Sequence, residues 1–300
     1  MDRTDIVLIQ KLLANSRTPY RELAEQLDIS VNAVHKRIQG LIDSGVIRRF
    51  TAKISFTALD GVIVLVYGIG SARPDKATAS LGSDERVYWV THASGGMMYV
   101  GGYLRGIGDL EDFITTVRQR AGMASPQMGL QSGPPPRQGG ELSRLDHRLI
   151  AALENDSRRS VSELADRLST SAKTVRRHLS RLIDEGAVFL SLDWTPDKSN
   201  DIVCIFHLQL RPEVDRFPYA MGLVQSYPQN MLFFFLFSNL PDTVLLTAWC
   251  RTIEEVNDLR RAMEAREEMV TVVPHILITG EVFDTWREEA VRRAASGKGQ

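Results

Sequence analysis

The 300-residue sequence has only two cysteines, Cys204 and Cys250, which excludes a disulfide framework and fits a reducing cytoplasm. It has no excess of either charge, because 36 Lys and Arg balance 37 Asp and Glu, so any surface for nucleic acid must be a local patch. The longest apolar run, "MLFFFLF" at Met231–Phe237, is far too short to cross a bilayer and reads as a buried strand. The first residues, "MDRTDIVLIQ", are too polar for a signal peptide. We therefore predict a cytoplasmic protein with no membrane partner.

The chain contains an internal repeat. A shift of 141 positions places Ser16-Arg17 on Ser157-Arg158 and continues without a gap through "SVNAVHKRIQGLIDSGVI" and "SAKTVRRHLSRLIDEGAV". Further along, "MYVGGYLRGIGDLEDF" lies on "VLLTAWCRTIEEVNDL" at a different offset. Between the copies, "SGPPPRQGG" has the composition of a linker. The sequence therefore predicts two copies of a two-domain unit.

The first domain of each copy begins with two helices. Apolar residues at helical spacing predict the first helix in "DIVLIQKLLANS" and in "DHRLIAALENDS". A second helix follows each of them. In the second copy Ser160 and Glu163 form a capping box, and in the first copy Thr18 offers a cap with Pro19 at the first helical position.

A third helix completes each of these domains. It begins after Ser30 or Ser171, which are natural N-caps, and it ends at Gly45 or Gly186, the usual residue type for a left-handed C-terminal cap. The extended segments "VIRRFTAKISF" and "AVFLSLDW" follow. Three helices with a tight turn between the last two, followed by a hairpin, describe a winged helix-turn-helix domain.

The outer face of each third helix is basic, whereas the opposite face is apolar. A one-sided basic face near the capped N-terminus of such a helix indicates contact with duplex DNA, and a solvated charged face is the alternative. The second extended segment, "VFLSLDW", has no basic residue, so the two half-sites on DNA are expected to differ. The predicted DNA-binding residues are Ser30, Asn32, His35, Lys36, Arg37, Arg48, Arg49, Lys53, Ser171, Lys173, Thr174, Arg176, Arg177, His178 and Arg181.

The second domain of each copy reads strand, helix, strand, strand, helix, strand. In the first copy "VIVLVYGIG" is a buried strand, a helix follows Pro74, a hairpin turns at Gly95-Gly96, and the last strand, near "SPQMGL", is weak. This is the ferredoxin-like order, whose antiparallel sheet leaves one face in need of cover. The partner of that face is predicted to be either the other copy's sheet or another subunit, with Met231–Phe237 as the candidate seam.

Each half of the chain resembles a complete Lrp/AsnC-type transcription regulator. The segment "LDHRLIAALENDSRRSVSELADRLSTSAKTVRRHLSRLIDEGAV" is similar to that family nearly end to end, and the fused pair resembles the archaeal regulators that carry two AsnC-type modules. The resemblance implies an α+β chain of two winged helix-turn-helix domains and two ferredoxin-like βαββαβ sensing and assembly domains in tandem. It also implies double-stranded DNA as a partner, a small-molecule effector such as an amino acid, and self-association as an intramolecular pseudo-dimer and as a homodimer.

The predicted domain boundaries follow from the repeat. They are residues 1–57 for the first winged helix-turn-helix, 58–132 for the first ferredoxin-like domain, 133–140 for the linker, 141–195 for the second winged helix-turn-helix, 196–282 for the second ferredoxin-like domain, and 283–300 for a C-terminal helix and tail.

The resemblance implies effector binding at the loop between the middle strands of the sensing domain, where family members carry Gly and Asp. In this chain the two loops read "SGGMM" and "SNLPD", and the predicted effector-binding residues are Ser94, Gly95, Asn239 and Asp242. Ordinary turn chemistry is the alternative interpretation of both loops.

An enzymatic alternative comes from fused Lrp-like chains that resemble siroheme decarboxylases and carry a His-Asn-Tyr-x-Arg run. In "THASGG" only His92 matches that run. Cys204 and His207 are three apart in a predicted strand, so they face opposite sides of the sheet, and Cys250 and His275 stand alone in their segments. No phosphate-binding loop or hydrolase motif is present. We therefore predict no metal, no cofactor and no enzymatic activity.

Overall fold

A computed structural model describes residues 1–59, 61–70, 73–131, 140–195 and 198–297. The chain divides into two compact units. The helix-turn-helix unit is formed mainly by residues 8–59, 140–194 and 284–297, and the ferredoxin-like unit by residues 62–131 and 198–283. Each unit therefore combines one domain from each copy of the repeat. The predicted linker, apart from Gly140, lies outside the described residues.

The helices and strands follow the repeat. The helices are α1 (Arg3–Ala14), α2 (Tyr20–Leu27), α3 (Val31–Asp43), α4 (Pro74–Gly82), α5 (Leu110–Ala121), α6 (Arg144–Leu153), α7 (Val161–Leu168), α8 (Ala172–Asp184), α9 (Arg216–Ser226), α10 (Ile253–Glu264) and α11 (Trp286–Ser296). The strands are β1 (Ile47–Ile54), β2 (Val62–Ile69), β3 (Val87–Ala93), β4 (Met97–Leu104), β5 (Gln127–Leu130), β6 (Val188–Trp194), β7 (Ile202–Leu210), β8 (Met231–Phe237), β9 (Leu240–Cys250) and β10 (Met269–Val282). Among the described residues, no helix is both long and apolar enough to span a bilayer.

The third helices α3 and α8 begin and end as the sequence predicts. The hydroxyl oxygens of Ser30 and Ser171 each accept the backbone N–H of the residue three positions further on, at 3.1 Å. Gly45 and Gly186 follow the two helices with φ of 77° and 64°, the left-handed conformation that glycine adopts without steric cost.

The second helices differ from each other at their N-termini. In α7 the predicted capping box is confirmed, because Ser160 and Glu163 bond each other's backbone N–H groups. In α2 the predicted Thr18 cap is wrong. The Thr18 hydroxyl donates to the carbonyl of Asn15 at 2.8 Å, and Pro19 itself occupies the N-cap position without a side-chain cap.

The predicted hairpin wings are also wrong. β1 and β6 pair with each other as a two-stranded antiparallel sheet, so each domain satisfies the other's strand edge. Phe50 pairs with Leu192 and Thr51 with Ser191. Leu192 is the repeat counterpart of Thr51, and Ser191 is that of Phe50, so the pairing is self-complementary, as at a two-fold axis between identical subunits.

Side chains beside this sheet repeat the same two-fold pattern. The hydroxyls of Ser16 and Ser157, which are repeat counterparts, lie 2.6 Å apart. Arg17 donates to the carbonyl of Ser157 at 2.6 Å, and Arg158 donates reciprocally to the carbonyl of Ser16. Arg158 also lies over the ring of Tyr20 at 4.4 Å. The two helix-turn-helix domains therefore pack against each other with approximate two-fold symmetry.

The C-terminal helix α11 breaks this symmetry, because it packs on α6 of the second domain. Thr285 and Glu288 form a capping box at its start. Val291 is buried, and Arg292 donates to Glu154 of the second domain at 2.8 Å.

The ferredoxin-like unit contains an eight-stranded sheet in the order β5-β2-β4-β3-β10-β7-β9-β8. Each half has the same internal order, and the two halves join where β3 pairs antiparallel with β10. The outer strands β5 and β8 also meet, at a bridge between Gln131 and Phe237. The predicted seam strand β8 is therefore confirmed as a point of contact, whereas the longer seam is β3–β10.

The helix-free faces of the two half-sheets pack together. Their shared cluster contains Tyr67 and Tyr99 from the first copy and Phe235 and Phe237 from the second. Tyr67 stacks on Phe237 with ring centroids 6.5 Å apart. Of the two partners predicted for the apolar face, the structure therefore selects the other copy of the same chain.

Candidate nucleic-acid interface

The helix α8 presents a basic outer face. Val175, Leu179 and Leu182 are buried on one side. The side chains exposed on the other side are Lys173, Arg176, Arg177 and Ser180. Ser171 and Thr174 lie in the N-cap, where their hydroxyls are 2.9 Å apart. Three cations on the free face of a capped helix form a surface complementary to phosphates and guanine edges.

The helix α3 presents a less basic face. Its exposed side chains include Asn32, His35 and Lys36, and the His35 ring meets the ring of Tyr20 edge-on at 5.6 Å. Arg37 is only partly exposed. The Ser30 hydroxyl is engaged as the N-cap. The two recognition helices therefore differ in charge as the sequence predicts.

A buried carboxylate lies beneath the flank of α8. Asp146 on α6 is fully buried and accepts hydrogen bonds from His178 Nδ1 at 2.7 Å, from Arg181 at 2.5 Å and from the Ser143 hydroxyl at 2.6 Å. Burial alone would raise the pKa of Asp146, but these hydrogen bonds outweigh it and lower the pKa to about 2. His178 and Arg181, both predicted DNA contacts, are thus directed toward α6 rather than outward.

The basic segment after α3 does not form an exposed wing. Arg49 and Lys53 both pair with the buried carboxylate of Asp193 on β6, at 2.6 and 3.4 Å. Burial would lower the pKa of Arg49, and the Asp193 carboxylate reverses this and raises it. Arg48 remains exposed. The predicted wing is therefore wrong for Arg49 and Lys53, because both cations neutralise a buried acid from the other copy.

The predicted effector loops connect the two half-sheets by hydrogen bonds. The Ser94 hydroxyl accepts the backbone N–H of Ile276 at 3.0 Å. The Asn239 side chain accepts the N–H of Leu130 at 2.7 Å and donates to the carbonyl of Met128 at 2.8 Å. Ser94 and Asn239 therefore act at the two seams of the sheet.

The other two predicted effector residues have different surroundings. Gly95 is exposed with a φ of 70°, and a Cβ added there would meet no atom within 4 Å. Asp242 is partly exposed on β9. Effector binding at these loops stays a prediction.

A histidine pair lies within the packed sheets of the ferredoxin-like unit. The Tyr99 hydroxyl is 2.7 Å from His207 Nε2, and the rings of His207 and His275 have centroids 4.5 Å apart. Burial, together with the nearby His275, lowers the pKa of His207 to about 3. The pair is therefore held neutral.

His92, the histidine that matches the run of the siroheme decarboxylases, is buried elsewhere in the same unit. His92 Nε2 lies 2.7 Å from the Thr78 hydroxyl on α4, and burial lowers the pKa of His92. Cys204 and Cys250 are both buried and free. Within the part of the chain that the structure describes, no group of three or more His, Cys, Asp or Glu side chains has the arrangement of a metal site.

Sequence reasoning missed Asp146, Asp193 and Arg158, whose partners lie on other elements. One signal was available for Arg158. Both copies carry a Ser-Arg pair at the same place after the first helix, where an isolated domain would not need it.

The chain matches the model of winged helix-turn-helix DNA-binding domains over residues 1–48 and 142–188. Both matches cover the three helices of one domain and reach the paired strands β1 and β6. The class of protein is therefore a tandem of winged helix-turn-helix domains, although β1 and β6 take the place of its wings.

Similar proteins identify the family within this class. The chain is 30% identical over 103 residues to the HTH-type transcriptional regulator LrpA of Mycobacterium tuberculosis, which is 33% of this chain and 69% of that protein. It is 34% identical over 76 residues to the regulator LrpA of Pyrococcus horikoshii, which is 25% of this chain and 53% of that protein. Its match to the regulator LysM of Sulfurisphaera tokodaii, at 49% identity, covers 17% of this chain and 36% of that protein. The chain belongs to the Lrp/AsnC family.

Solved structures of a siroheme decarboxylase resemble the whole chain. The siroheme decarboxylase NirDL superimposes over 99% of both chains with a TM-score of 0.61 and 14% sequence identity, and so shares the fold. The prediction that this chain is not an enzyme is corrected by this finding, because an enzyme shares the fold from end to end.

Proposed function

We propose that the protein is a sequence-specific DNA-binding transcription regulator. The observation that carries the proposal is the outer face of α8, where the side chains of Lys173, Arg176 and Arg177 are exposed on a capped third helix. Regulators of the same family, the two LrpA proteins among them, support it.

The two recognition helices are proposed to read different half-sites. Arginine suits guanine through O6 and N7, and asparagine suits adenine through N6 and N7. We therefore expect Arg177 and Asn32 to favour different bases. A homodimer with identical helices would favour a palindrome, whereas this intrachain pair should prefer a pseudo-palindrome. Because Asp193 engages Arg49 and Lys53, the difference comes from the helices rather than from a wing.

The test is selection of preferred sites from random duplex DNA, followed by binding titrations at several salt concentrations. Affinity should fall with salt at a log–log slope of about −0.9 per neutralised phosphate. Arg177→Ala should cost about 1–3 kcal/mol and relax preference at one position. Arg261→Ala, an exposed arginine of the ferredoxin-like unit, is the matched control. No enriched motif, together with a flat salt response, would contradict the proposal.

The resemblance to Lrp/AsnC regulators extends the proposal to an amino-acid effector and to association of whole chains. Light scattering with and without each of the twenty amino acids tests both points. A shift in mass or in DNA affinity with one amino acid supports an effector. A strict monomer throughout would limit assembly to the intrachain pseudo-dimer.

A second candidate function is decarboxylation of a siroheme-type tetrapyrrole. The full-length likeness to the decarboxylase NirDL favours it, and that protein is also known in complex with an iron-uroporphyrin III analogue. Titration of the purified protein with iron-uroporphyrin III, followed by absorbance, tests binding, and mass spectrometry of siroheme after incubation tests loss of carbon dioxide. An unchanged spectrum and unchanged siroheme would remove this candidate.

A further inference from the structure

Three side chains form a connected row along the second recognition helix. Asp146 Oδ1 lies 2.7 Å from His178 Nδ1, and His178 Nε2 lies 3.4 Å from a terminal nitrogen of Arg177. The row leads from a fully buried carboxylate to an exposed guanidinium. It therefore links the interior of the domain to the surface proposed to face DNA.

The hydrogen positions in this row follow from the chemistry of its members. An ionised carboxylate only accepts hydrogen bonds, so His178 Nδ1 carries a hydrogen. A guanidinium only donates, so Arg177 requires a lone pair on His178 Nε2, which is present only in the neutral imidazole. When the imidazole is protonated, Nε2 also carries a hydrogen and its contact with Arg177 is lost.

The charged groups around the imidazole are few. Among the described residues, those bonded to His178 or to its carboxylate partner are Asp146 on α6 and Arg177 and Arg181 on α8. Arg181 already occupies Asp146 Oδ2, so the imidazole has Oδ1 to itself. The pKa of Asp146 is lowered to about 2, so at neutral pH the carboxylate is ionised and accepts the hydrogen of His178 Nδ1.

The first recognition helix lacks this row. By the repeat, Arg37 stands in place of His178, and Lys36 in place of Arg177. An arginine has no acceptor atom, so Arg37 cannot receive a hydrogen bond from Lys36. The two copies share the helix but not this means of orienting an exposed cation.

We infer that His178 is a positioning residue, which in its neutral form holds the Arg177 guanidinium in one orientation for a base contact. The inference rests on the proposed DNA-binding function. A side chain that is already ordered loses less freedom when it binds, and a bidentate arginine–guanine contact depends on orientation.

The experiment uses the full-length protein and two duplexes. One duplex carries the selected site, and the other differs only at the base pair whose preference Arg177→Ala abolishes. The discrimination ratio between them is measured at pH 8 for the unmodified protein and for each variant. We expect the ratio to fall at least threefold when the acceptor beside Arg177 is removed, while affinity for unrelated DNA and its salt dependence stay unchanged, because no charge is removed.

Two substitutions separate positioning from a merely structural role. His178→Gln keeps an acceptor near the Nε2 position, so its ratio should be close to the unmodified value. His178→Asn keeps a donor toward Asp146 but does not reach Arg177, so its ratio should be low. His147→Gln, at a histidine of α6 that lies beside the carbonyl of Ser143, is the matched control and should leave the ratio unchanged.

The outcomes are distinguishable. A ratio that is the same in the unmodified protein, His178→Gln and His178→Asn would overturn the inference and leave DNA recognition standing. Absence of any selected duplex for the unmodified protein would overturn the proposed function, and the inference with it. If one substitution prevents folding, the other still decides, because an unchanged ratio in His178→Asn or a low ratio in a folded His178→Gln contradicts the inference.

Discussion

The two units join their halves in different ways. In the helix-turn-helix unit the halves meet through a two-stranded sheet and through arginines that bond backbone carbonyls, as Arg17 and Arg158 do. In the ferredoxin-like unit they meet through an apolar layer of rings that includes Tyr67, Phe235 and Phe237. Both joins also contain paired strands, β1–β6 in one and β3–β10 in the other. We call the first the polar join and the second the apolar join, after the side chains that distinguish them.

The difference indicates how much each join contributes to stability. Burial of aromatic rings contributes several kcal/mol per side chain, with little sensitivity to salt. Hydrogen bonds from charged groups contribute about 1.5–3 kcal/mol each and depend on their geometry. We therefore expect the ferredoxin-like unit to hold the chain together, and the pairing of the DNA-binding domains to be the more easily altered.

The largest expected effect is on the apolar join. Phe237 is fully buried, and its ring lies against Gly129, where an added Cβ would come within 2.2 Å of it. Phe237→Ala should lower the free energy of unfolding by about 3–5 kcal/mol, as measured by urea denaturation. Phe189→Ala, at a half-exposed ring of β6, should cost less than about 1 kcal/mol. Equal losses would remove the distinction between the two joins.

Acid should destabilise the ferredoxin-like unit at a higher pH than the helix-turn-helix unit. The pKa of His207 is lowered to about 3. Its contribution to the free energy of unfolding is therefore complete above the ordinary histidine value of about 6.5 and is lost as pH falls toward 3, by about 4–5 kcal/mol in all. The pKa of Asp146 is lowered to about 2, so the helix-turn-helix unit loses about 2 kcal/mol only below about pH 4.

Urea denaturation at pH 7.5, 5 and 4 checks this order. Trp89 and Trp249 report on the ferredoxin-like unit, and Trp194 and Trp286 on the other. His207→Gln should reduce the loss between pH 7.5 and 4. If the unmodified protein and this variant lose the same free energy, His207 is not the source of the acid sensitivity.

The polar join should respond unequally to its two arginines. Arg158 lies over the rings of Tyr20 and Phe50 at 4.4 and 5.4 Å, in addition to its carbonyl bonds. Arg17 bonds the carbonyls of Ser157 and Arg159. We expect Arg158→Ala to cost about 2–3 kcal/mol and Arg17→Ala about 1–2 kcal/mol, as measured by thermal unfolding. A larger loss for Arg17→Ala would reverse this ranking.

The smallest effects on the free energy of unfolding are expected at the loops that connect the two half-sheets by hydrogen bonds. Asn239→Ala removes two hydrogen bonds to β5 and should cost about 1–2 kcal/mol, whereas Ser94→Ala removes one to β10 and should cost about 1 kcal/mol. DNA affinity should not change in either variant. A variant that keeps its stability but loses a response to an amino acid would instead support an effector role for the loop.

Much of the local structure could be predicted from the sequence. The third helices begin at Ser30 and Ser171 and end before Gly45 and Gly186, because capping and backbone preferences act within a few residues. The βαββαβ order follows from apolar periodicity in the same way, and the repeat identifies the copies. The exposed face of α8 was also predictable, since helical geometry alone sets which side chains oppose the core.

The partners across the fold could not be predicted. Arg49 is predicted from the sequence as a wing residue, but it is ion-paired with Asp193, 144 positions away. His178 is predicted as a DNA contact, but its Nδ1 bonds the buried carboxylate of Asp146. Thr18 looked like a cap, but its hydroxyl turned to Asn15.

The sequence by itself thus determined the helices and strands and the charge carried by each recognition helix, because these depend on short-range backbone and side-chain preferences. Only the tertiary structure decided that β1 pairs with β6, that the two half-sheets share one aromatic layer, and which cations of the predicted DNA surface remain exposed. The backbone hydrogen-bonding groups of a strand edge are the same for every sequence, and a buried carboxylate can pair with any cation that the fold places beside it. Neither the pairing of the strands nor the cation that pairs with the carboxylate can therefore be predicted from the residues involved.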